Sequence, residues 1–309
     1  MKKDEVKVYS PATVSNVGPG FDLLGFALEH PGDEMIIRRN GSGSLRLVDE
    51  SGCRLPVDLE QNVAAIAAAA FLDELGVREG FDMIFTRKIN PGSGLGSSAA
   101  SCVAAVVGIN EIMGTPYATE ALVPYAMEGE QIASGATHAD NIAPALLGGI
   151  TLIRGYDPID IKHIPFPSDL WCAVVHPDME IRTLESRKRI PQQVPLKSAL
   201  EQCGNLAGLV AGLATADYGL ISRSVCDVFA EPYRTDMIPD YQALKDTALD
   251  SGSVGTGLSG SGPAVFSLCR GEEMANTVAA VMQSHFTDRG MEAATYVSRI
   301  SQAGCRIMH

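Results

Sequence analysis

The sequence predicts an α+β protein of two units, each a β-sheet with helices on one face. Three observations carry this. Its 309 residues exceed the usual domain size of roughly 100–200 residues. Strand–helix–strand order runs through both halves. Between them, from Pro158 to Asp169, prolines and aspartate–proline turns break the pattern. The boundary is placed there, giving units 1–165 and 166–309.

Val6 to Tyr9 alternates and reads as the first strand. Ser10 to Asp22 holds two prolines and two glycines, which argue against a regular element. Its useful polar groups are Asn16 and Asp22. Read locally, a functional role for them stands level with a plain one, in which Asn16 caps a turn and Asp22 starts a short helix before Leu23, Leu24 and Phe26. Asp33 to Arg39 and Ser44 to Val48 read as a hairpin around Asn40-Gly41. Gln61-Asn62 opens a helix, Val63 to Leu75, closed by Gly76 and rich in alanine for close packing. Phe81 to Arg87 is a strand that delivers the chain to a glycine loop.

That loop is Pro91-Gly92-Ser93-Gly94-Leu95-Gly96-Ser97-Ser98-Ala99-Ala100-Ser101, followed by small helix-compatible residues to Met113. Glycines let backbone N–H groups approach a ligand closely. The helix behind aims unpaired N–H groups and a partial positive charge at the same spot. Strand, glycine loop and helix together make an anion site, most naturally for phosphate. Two better-known phosphate loops do not fit. A Walker A loop counted from Gly92 would place its second Gly on Ser97 and its Lys on Ser98. The dinucleotide fingerprint fails because Ser97 stands at its last Gly. The plain alternative is a flexible turn before a buried helix.

A further helix runs from about Thr119 to Ala133, with Glu128 and Glu130 near its end. Glu130 rises above ordinary helix surface only if the fold brings it to the phosphate loop. Gly135 to Asn141 then packs polar groups densely, including His138 and Asp140. No zinc-ligand spacing occurs, so zinc is not expected. In the second half, Trp171 to Val175 is a strand, and Thr183 to Arg189 concentrates cations. Leu196 to Ala214 and Leu220 to Phe229 are helical, and Arg234 follows. Gly255 to Pro263 is a second glycine–hydroxyl loop feeding a strand, Ala264 to Leu268. A helix, Glu272 to His285, and a strand, Ala294 to Ile300, close the series.

Composition bounds the partners. Hydrophobic residues make up 46%, enough for a packed core. The formal charge of −13 repels nucleic acid and anionic membranes, so neither is an expected partner. Seven cysteines without a Cys-x-x-Cys pair read as reduced thiols of a cytoplasmic protein. The charged N-terminus lacks an apolar stretch, so no signal peptide is expected.

Laid out in order, these residues resemble the GHMP kinases, the galactokinase–homoserine kinase–mevalonate kinase–phosphomevalonate kinase superfamily. Three segments match: Pro11 to Asp22, Pro91 to Ser101 and Gly255 to Pro263. Within the superfamily the chain is most similar to the homoserine kinases, through Pro11-Ala12-Thr13, Asn16, Gly18 to Asp22, His138 to Asn141, Thr183, Arg187 and Arg234. Departures exist. Asn90 and Pro91 stand where the family has its proline one position earlier, and Arg87 stands where a lysine is often found. Val14 and Ser15 replace smaller residues.

The resemblance implies an N-terminal domain like that of ribosomal protein S5 and a ferredoxin-like C-terminal domain. It implies transfer of the ATP γ-phosphate to the hydroxyl of L-homoserine, in threonine biosynthesis. Pro91, Gly92, Ser93, Gly94, Leu95, Gly96, Ser97, Ser98, Ala99, Ala100 and Ser101 would wrap the phosphates, with Asn62 near the adenine. Ser98 and Glu130 would hold Mg²⁺. Asn16, Asp22, His138, Arg187 and Arg234 would line the acceptor pocket, and Asn141 and Thr183 would join Ser98 and Glu130 in catalysis. A homodimer is the family's usual state. The substrate chemistry agrees: Asp22 suits an ammonium, and two arginines suit a carboxylate. Alternatives are a kinase for mevalonate or a sugar, which lack the ammonium, and a nucleotide-binding regulator on the same fold.

Overall fold

A computed structural model describes residues 3–134 and 138–308. Gly135, Ala136 and Thr137, part of the polar segment singled out above, lie outside the described residues. In chain order the elements are β1 (Glu5–Ser15), β2 (Leu24–Arg39), β3 (Arg46–Asp49), α1 (Val63–Glu74), β4 (Phe81–Arg87), α2 (Ser97–Ile112), α3 (Val123–Ser134), α4 (Ile142–Leu147), β5 (Ile150–Tyr156), β6 (Ile159–Ile164), β7 (Leu170–Pro177), α5 (Thr183–Lys188), α6 (Leu196–Thr215), α7 (Tyr218–Ser224), α8 (Tyr241–Asp250), β8 (Gly255–Leu258), β9 (Val265–Arg270), α9 (Glu272–Thr287), β10 (Ala293–Arg299) and β11 (Arg306–Met308). Among the described residues, no helix is long and apolar enough to cross a membrane.

The first sheet runs β11-β1-β2-β4-β3, with β5 and β6 continuing from the start of β2. Helices α2 and α4 lie against it and α1 and α3 pack on α2, so that Phe71, Val103, Ile109 and the alanines of α1 share one core with Met35, Ile37, Met83 and Phe85. The second sheet, β10-β7-β9-β8, is antiparallel throughout. Its strands alternate as period-two burial requires. Ala173 and Val175 face α8 and α9. Cys172 and Val174 face the other way, into a core shared with Phe26, Leu95, Ala100 and Leu209. In that shared core Phe26 meets Phe266 edge-on, centroids 6.2 Å apart. The chain passes between the sheets from Ile164 to Leu170, and β11 returns to the first sheet beside β1.

Several sequence expectations are corrected. Strand β1 continues to Ser15, through Pro11 and into the segment expected to be irregular. The ladder to β2 shifts register between Pro11 and Thr13, and a proline without an N–H is tolerated at such an irregularity. No helix starts at Asp22; a turn leads directly into β2. The expected hairpin does not form. Strand β4 inserts beside β2, and β3 pairs with β4 in parallel, Leu47 opposite Met83. Arg46 grips Asp82 of β4 at 2.9 and 3.0 Å, and Asn40 donates to the same carboxylate. The helix expected from Leu220 to Phe229 ends at Ser224. There Asp227 accepts from the amides of Phe229, Ala230 and Glu231, an alternative to further helical turns. Gly255 to Leu258 of the second glycine loop is strand β8. Helices α4, α5 and α8 and strands β5, β6 and β11 have no counterpart in the sequence reading.

Candidate active site

The loop from Pro91 to Gly96 carries three left-handed residues in alternation, with φ of 72° at Gly92, 80° at Gly94 and 64° at Gly96. Only glycine adopts these values freely. Space demands it too. A Cβ on Gly96 would lie 1.9 Å from Thr13 Oγ1, and one on Gly94 would lie 2.8 Å from the Ser259 carbonyl. Gly96 is the N-cap of α2 and supplies no side-chain cap, so the first amides of a 16-residue helix face the loop unclaimed by a capping side chain. The carbonyls, by contrast, are claimed. Ala264 N donates to Ser93 O, Ser259 Oγ to Gly94 O, and Thr13 N to Leu95 O. The loop therefore turns these acceptors into protein, while of its donors Ser93 N and Leu95 N bond within the loop, to Asn90 O and Ser93 Oγ. The second glycine loop, Ser259 to Pro263, is the brace that enforces this.

A buried ion pair fixes the other side. Lys88 Nζ lies 2.9 Å from Asp33 Oδ2, with the two side chains 4% and 0% exposed. Lys88 also donates to the Ser97 carbonyl and hydroxyl. Asp33 accepts from Ile89 N and Ser101 Oγ. Burial pushes its carboxyl up, and Lys88 opposes that shift. The first turn of α2 is thereby tied to β2 and β4. The cation at the loop is thus Lys88, not Arg87, which is exposed and pairs with Glu34.

A cleft of about 480 Å³ runs from this loop to the β1–β2 turn. At the end formed by the glycine loop lie Pro91, Gly92, Ser93, Gly94, Gly96, Ser97, Ser98 and Ser101. The side chains of Leu95, Ala99 and Ala100 instead fill the cores, so those three residues offer the cleft only backbone. Ser97 and Ser101 spend their hydroxyls on Ile89 O and Asp33. Asn62 lines the cleft but caps α1, accepting from Ala64 N and Ala65 N and donating to Pro56 O. Ser98 Oγ donates to Glu130 Oε1 at 3.0 Å. Desolvation pushes the Glu130 carboxyl up to about 7, against the Ser98 bond. A hydroxyl and a carboxylate of disfavoured charge, beside a phosphate site, are hard oxygen donors that fit Mg²⁺. Among the described residues no cluster of three His, Cys, Asp or Glu could hold a metal unaided. A cation here would therefore complete its shell with phosphate and water.

At the other end, by the β1–β2 turn, Asn16 and Asp22 both sit at positive φ, 66° and 58°. Arg54, Thr115, Ala216 and Asp240 take the same conformation outside the cleft, and Asn and Asp tolerate it best, so the angles fix the shape of this turn. Asn16 accepts from Asp22 N and donates to Gly260 O. Arg187 forks onto Asp22 at 2.7 and 3.0 Å. The two residues assigned to opposite charges of a substrate thus hold each other. His138 Nδ1 lies 3.7 Å from Asp22, and burial keeps its pKa low. Arg234 is 3% exposed. It donates to Gly260 O, and among the described residues neither its Nε nor that of Arg187 has a hydrogen-bond partner. Burial, with Arg187 second, pulls Arg234 down to about 10. Two guanidiniums meet one hydrogen-bonded carboxylate, Asp22, and Asp227 and Asp140 lie near enough to favour the charge of Arg234. Between the two ends, Asn141 accepts from Thr13 Oγ1 and donates to Ser15 Oγ. Thr183 Oγ1 is 3.3 Å from Ser261 Oγ, and Asp140 is buried, its carboxyl pushed up to about 7 by desolvation and Asp22. Lys88, Asp33 and Asp140 are the site residues that sequence reasoning left without a role.

The chain is similar to known proteins along nearly its whole length. The model of the GHMP kinases N terminal domain matches residues 62–149, and that of the GHMP kinases C terminal matches 209–288. The chain is 40% identical to a homoserine kinase of Chlorobium phaeobacteroides, over 97% of this chain and 98% of that one. It is 39% identical to one of Chloroherpeton thalassium, over 98% and 99%. The crystal structure of a homoserine kinase from Cytophaga hutchinsonii superposes with a TM-score of 0.96 at 42% identity, covering 100% of this chain and 98% of that one.

Proposed function

The chain belongs to the GHMP kinases, among their homoserine kinases, and from that premise we propose that its cleft phosphorylates the hydroxyl of L-homoserine with ATP. It is a phosphotransferase with an alcohol acceptor. The observation that carries the acceptor assignment is Arg234, a buried guanidinium beside a second arginine, with a backbone carbonyl as its hydrogen-bond partner. A carboxylate satisfies both forks, and Asp22, once shared, meets the ammonium.

The loop amides and the α2 N-terminus hold the ATP phosphates. Ser98 and Glu130 hold Mg²⁺, which when bound neutralises charge on the transferring group. Asn141, fixed from both sides by β1, and Thr183 orient the acceptor hydroxyl. The chain's work is positioning and charge complementarity, which phosphoryl transfer needs more than covalent help. The reading includes two units divided at 165/166, with β11 completing the first sheet, a cytoplasmic homodimer and no nucleic-acid partner. Free cysteines fit that compartment.

The test is coupled ADP release with homoserine, mevalonate, galactose and shikimate as acceptors. Turnover is expected with homoserine alone. Faster turnover of mevalonate or galactose would leave the two arginines without a purpose and overturn the assignment.

A further inference from the structure

Phe21 lies in the β1–β2 turn, next to Asp22. Its ring centroid is 5.4 Å from Arg187 Cζ and also 5.4 Å from Arg234 Cζ. One aromatic ring thus carries both acceptor-end guanidiniums. The surrounding bonds form a closed circuit. Arg187 forks onto Asp22, Asp22 N donates to Asn16, Asn16 donates to Gly260 O, and Arg234 donates to that same carbonyl. Phe21 closes it between the arginines.

The arrangement solves a specific problem. Two like charges in a partly desolvated pocket repel, and Arg187 does oppose the charge of Arg234. A second carboxylate would relieve this, but it would occupy the forks and compete with the substrate. The face of an aromatic ring attracts cations through its quadrupole without accepting an in-plane N–H. It compensates charge while leaving the guanidinium edges free.

We infer that Phe21 is the positioning residue that holds Arg187 and Arg234 together as one carboxylate receptor, and so sets the preference for an amino-acid acceptor. This rests on the reading of the acceptor given above. It concerns binding, so KM should move and kcat at saturation should not.

The experiment compares wild type, Phe21→Leu and Phe21→Tyr on homoserine and on homoserinol, which lacks the carboxylate, with the KM for ATP and the Tm of each. Phe21→Leu is expected to raise the KM for homoserine on the order of 10-fold, from the loss of two desolvated cation–π contacts. Its KM for homoserinol and for ATP should stay within about twofold, and Phe21→Tyr should restore the homoserine value. Equal proportional loss with both acceptors would make the ring simple packing and overturn the inference. So would an unchanged homoserine KM in Phe21→Leu. If wild type itself fails to prefer homoserine to homoserinol, the carboxylate reading falls, and the inference with it. Should the leucine variant not fold, Phe21→Met, unbranched and flexible, gives the same comparison.

Discussion

The two ends of the cleft are made of different material. The nucleotide end is backbone. Its glycines take left-handed angles, its carbonyls are tied off by β1 and the second glycine loop, and its nearby hydroxyls are largely spent on internal bonds. The acceptor end is side chain. Charged groups from residues 22, 187 and 234 converge there, and two non-glycine residues hold strained backbone angles. The difference follows from the ligands. A polyphosphate is recognised by any array of N–H groups, which glycine presents cheaply. A small zwitterion must be told from other alcohols, and only placed charges do that.

If the nucleotide end is backbone, the harshest way to break it is a Cβ. Gly94→Val meets the Ser259 and Gly262 carbonyls at 2.8 and 2.9 Å and displaces the brace. Titration calorimetry should then detect no ATP binding, while circular dichroism stays native. Unchanged ATP affinity would remove the loop from the site.

Next comes the clamp. Lys88→Met leaves Asp33 buried and unpaired, at a cost of about 3–5 kcal/mol in denaturant melts. Adding Asp33→Asn should recover much of that stability while the KM for ATP stays raised, because the tie to Ser97 is gone. Full recovery of both would make the pair structural only. At the acceptor end, Arg187→Ala should cost roughly 2–5 kcal/mol of acceptor binding, a rise of about 30-fold or more in the KM for homoserine. Homoserinol should suffer little further, and ATP affinity should hardly move. Equal losses for the two acceptors would blur the contrast between the ends.

The smallest effect is on stability. Desolvation raises the Asp140 carboxyl from 3.8 to about 7. Between those values the folded chain keeps a proton that the unfolded chain releases, so this residue's contribution to stability falls as pH rises through that window and is flat above it. Asp140→Asn carries no such penalty. It should stabilise by roughly 2 kcal/mol at pH 8 and by almost nothing near pH 4, read as Tm against pH. A gain independent of pH would mean that the residue is not ionising.

Legibility follows the same divide. The phosphate loop is contiguous, and strand, glycines and helix follow one another between Phe81 and Ile112, so its chemistry can be read from the chain. Lys88 was missed for a definable reason. Alternation along β4 would turn Arg87 inward with Phe81, Met83 and Phe85. A register shift against Glu34 and Met35 skips one residue and reverses the parity, leaving Arg87 outside and Lys88 inside. The acceptor residues were named through resemblance, since nothing local joins Asp22 to Arg187 and Arg234. Their mutual pairing and the role of Phe21 are tertiary facts. The missed hairpin has the same origin: the Asn40-Gly41 turn is real, but a later strand takes the place beside β2.

The core shared by the two sheets bears on how ligands get in. Domains that swing about a hinge usually meet across a modest, polar surface. Here Phe26, Leu95, Ala100, Val174 and Phe266 form one continuous apolar interior beneath the cleft, and the brace hydrogen-bonds across it. Rocking the walls apart would open that interior to water. Entry by a hinge motion would carry that cost, whereas local motion of the segments at the rim would not. A frame that stays closed at this seam loses less entropy on binding than one that must first be drawn shut.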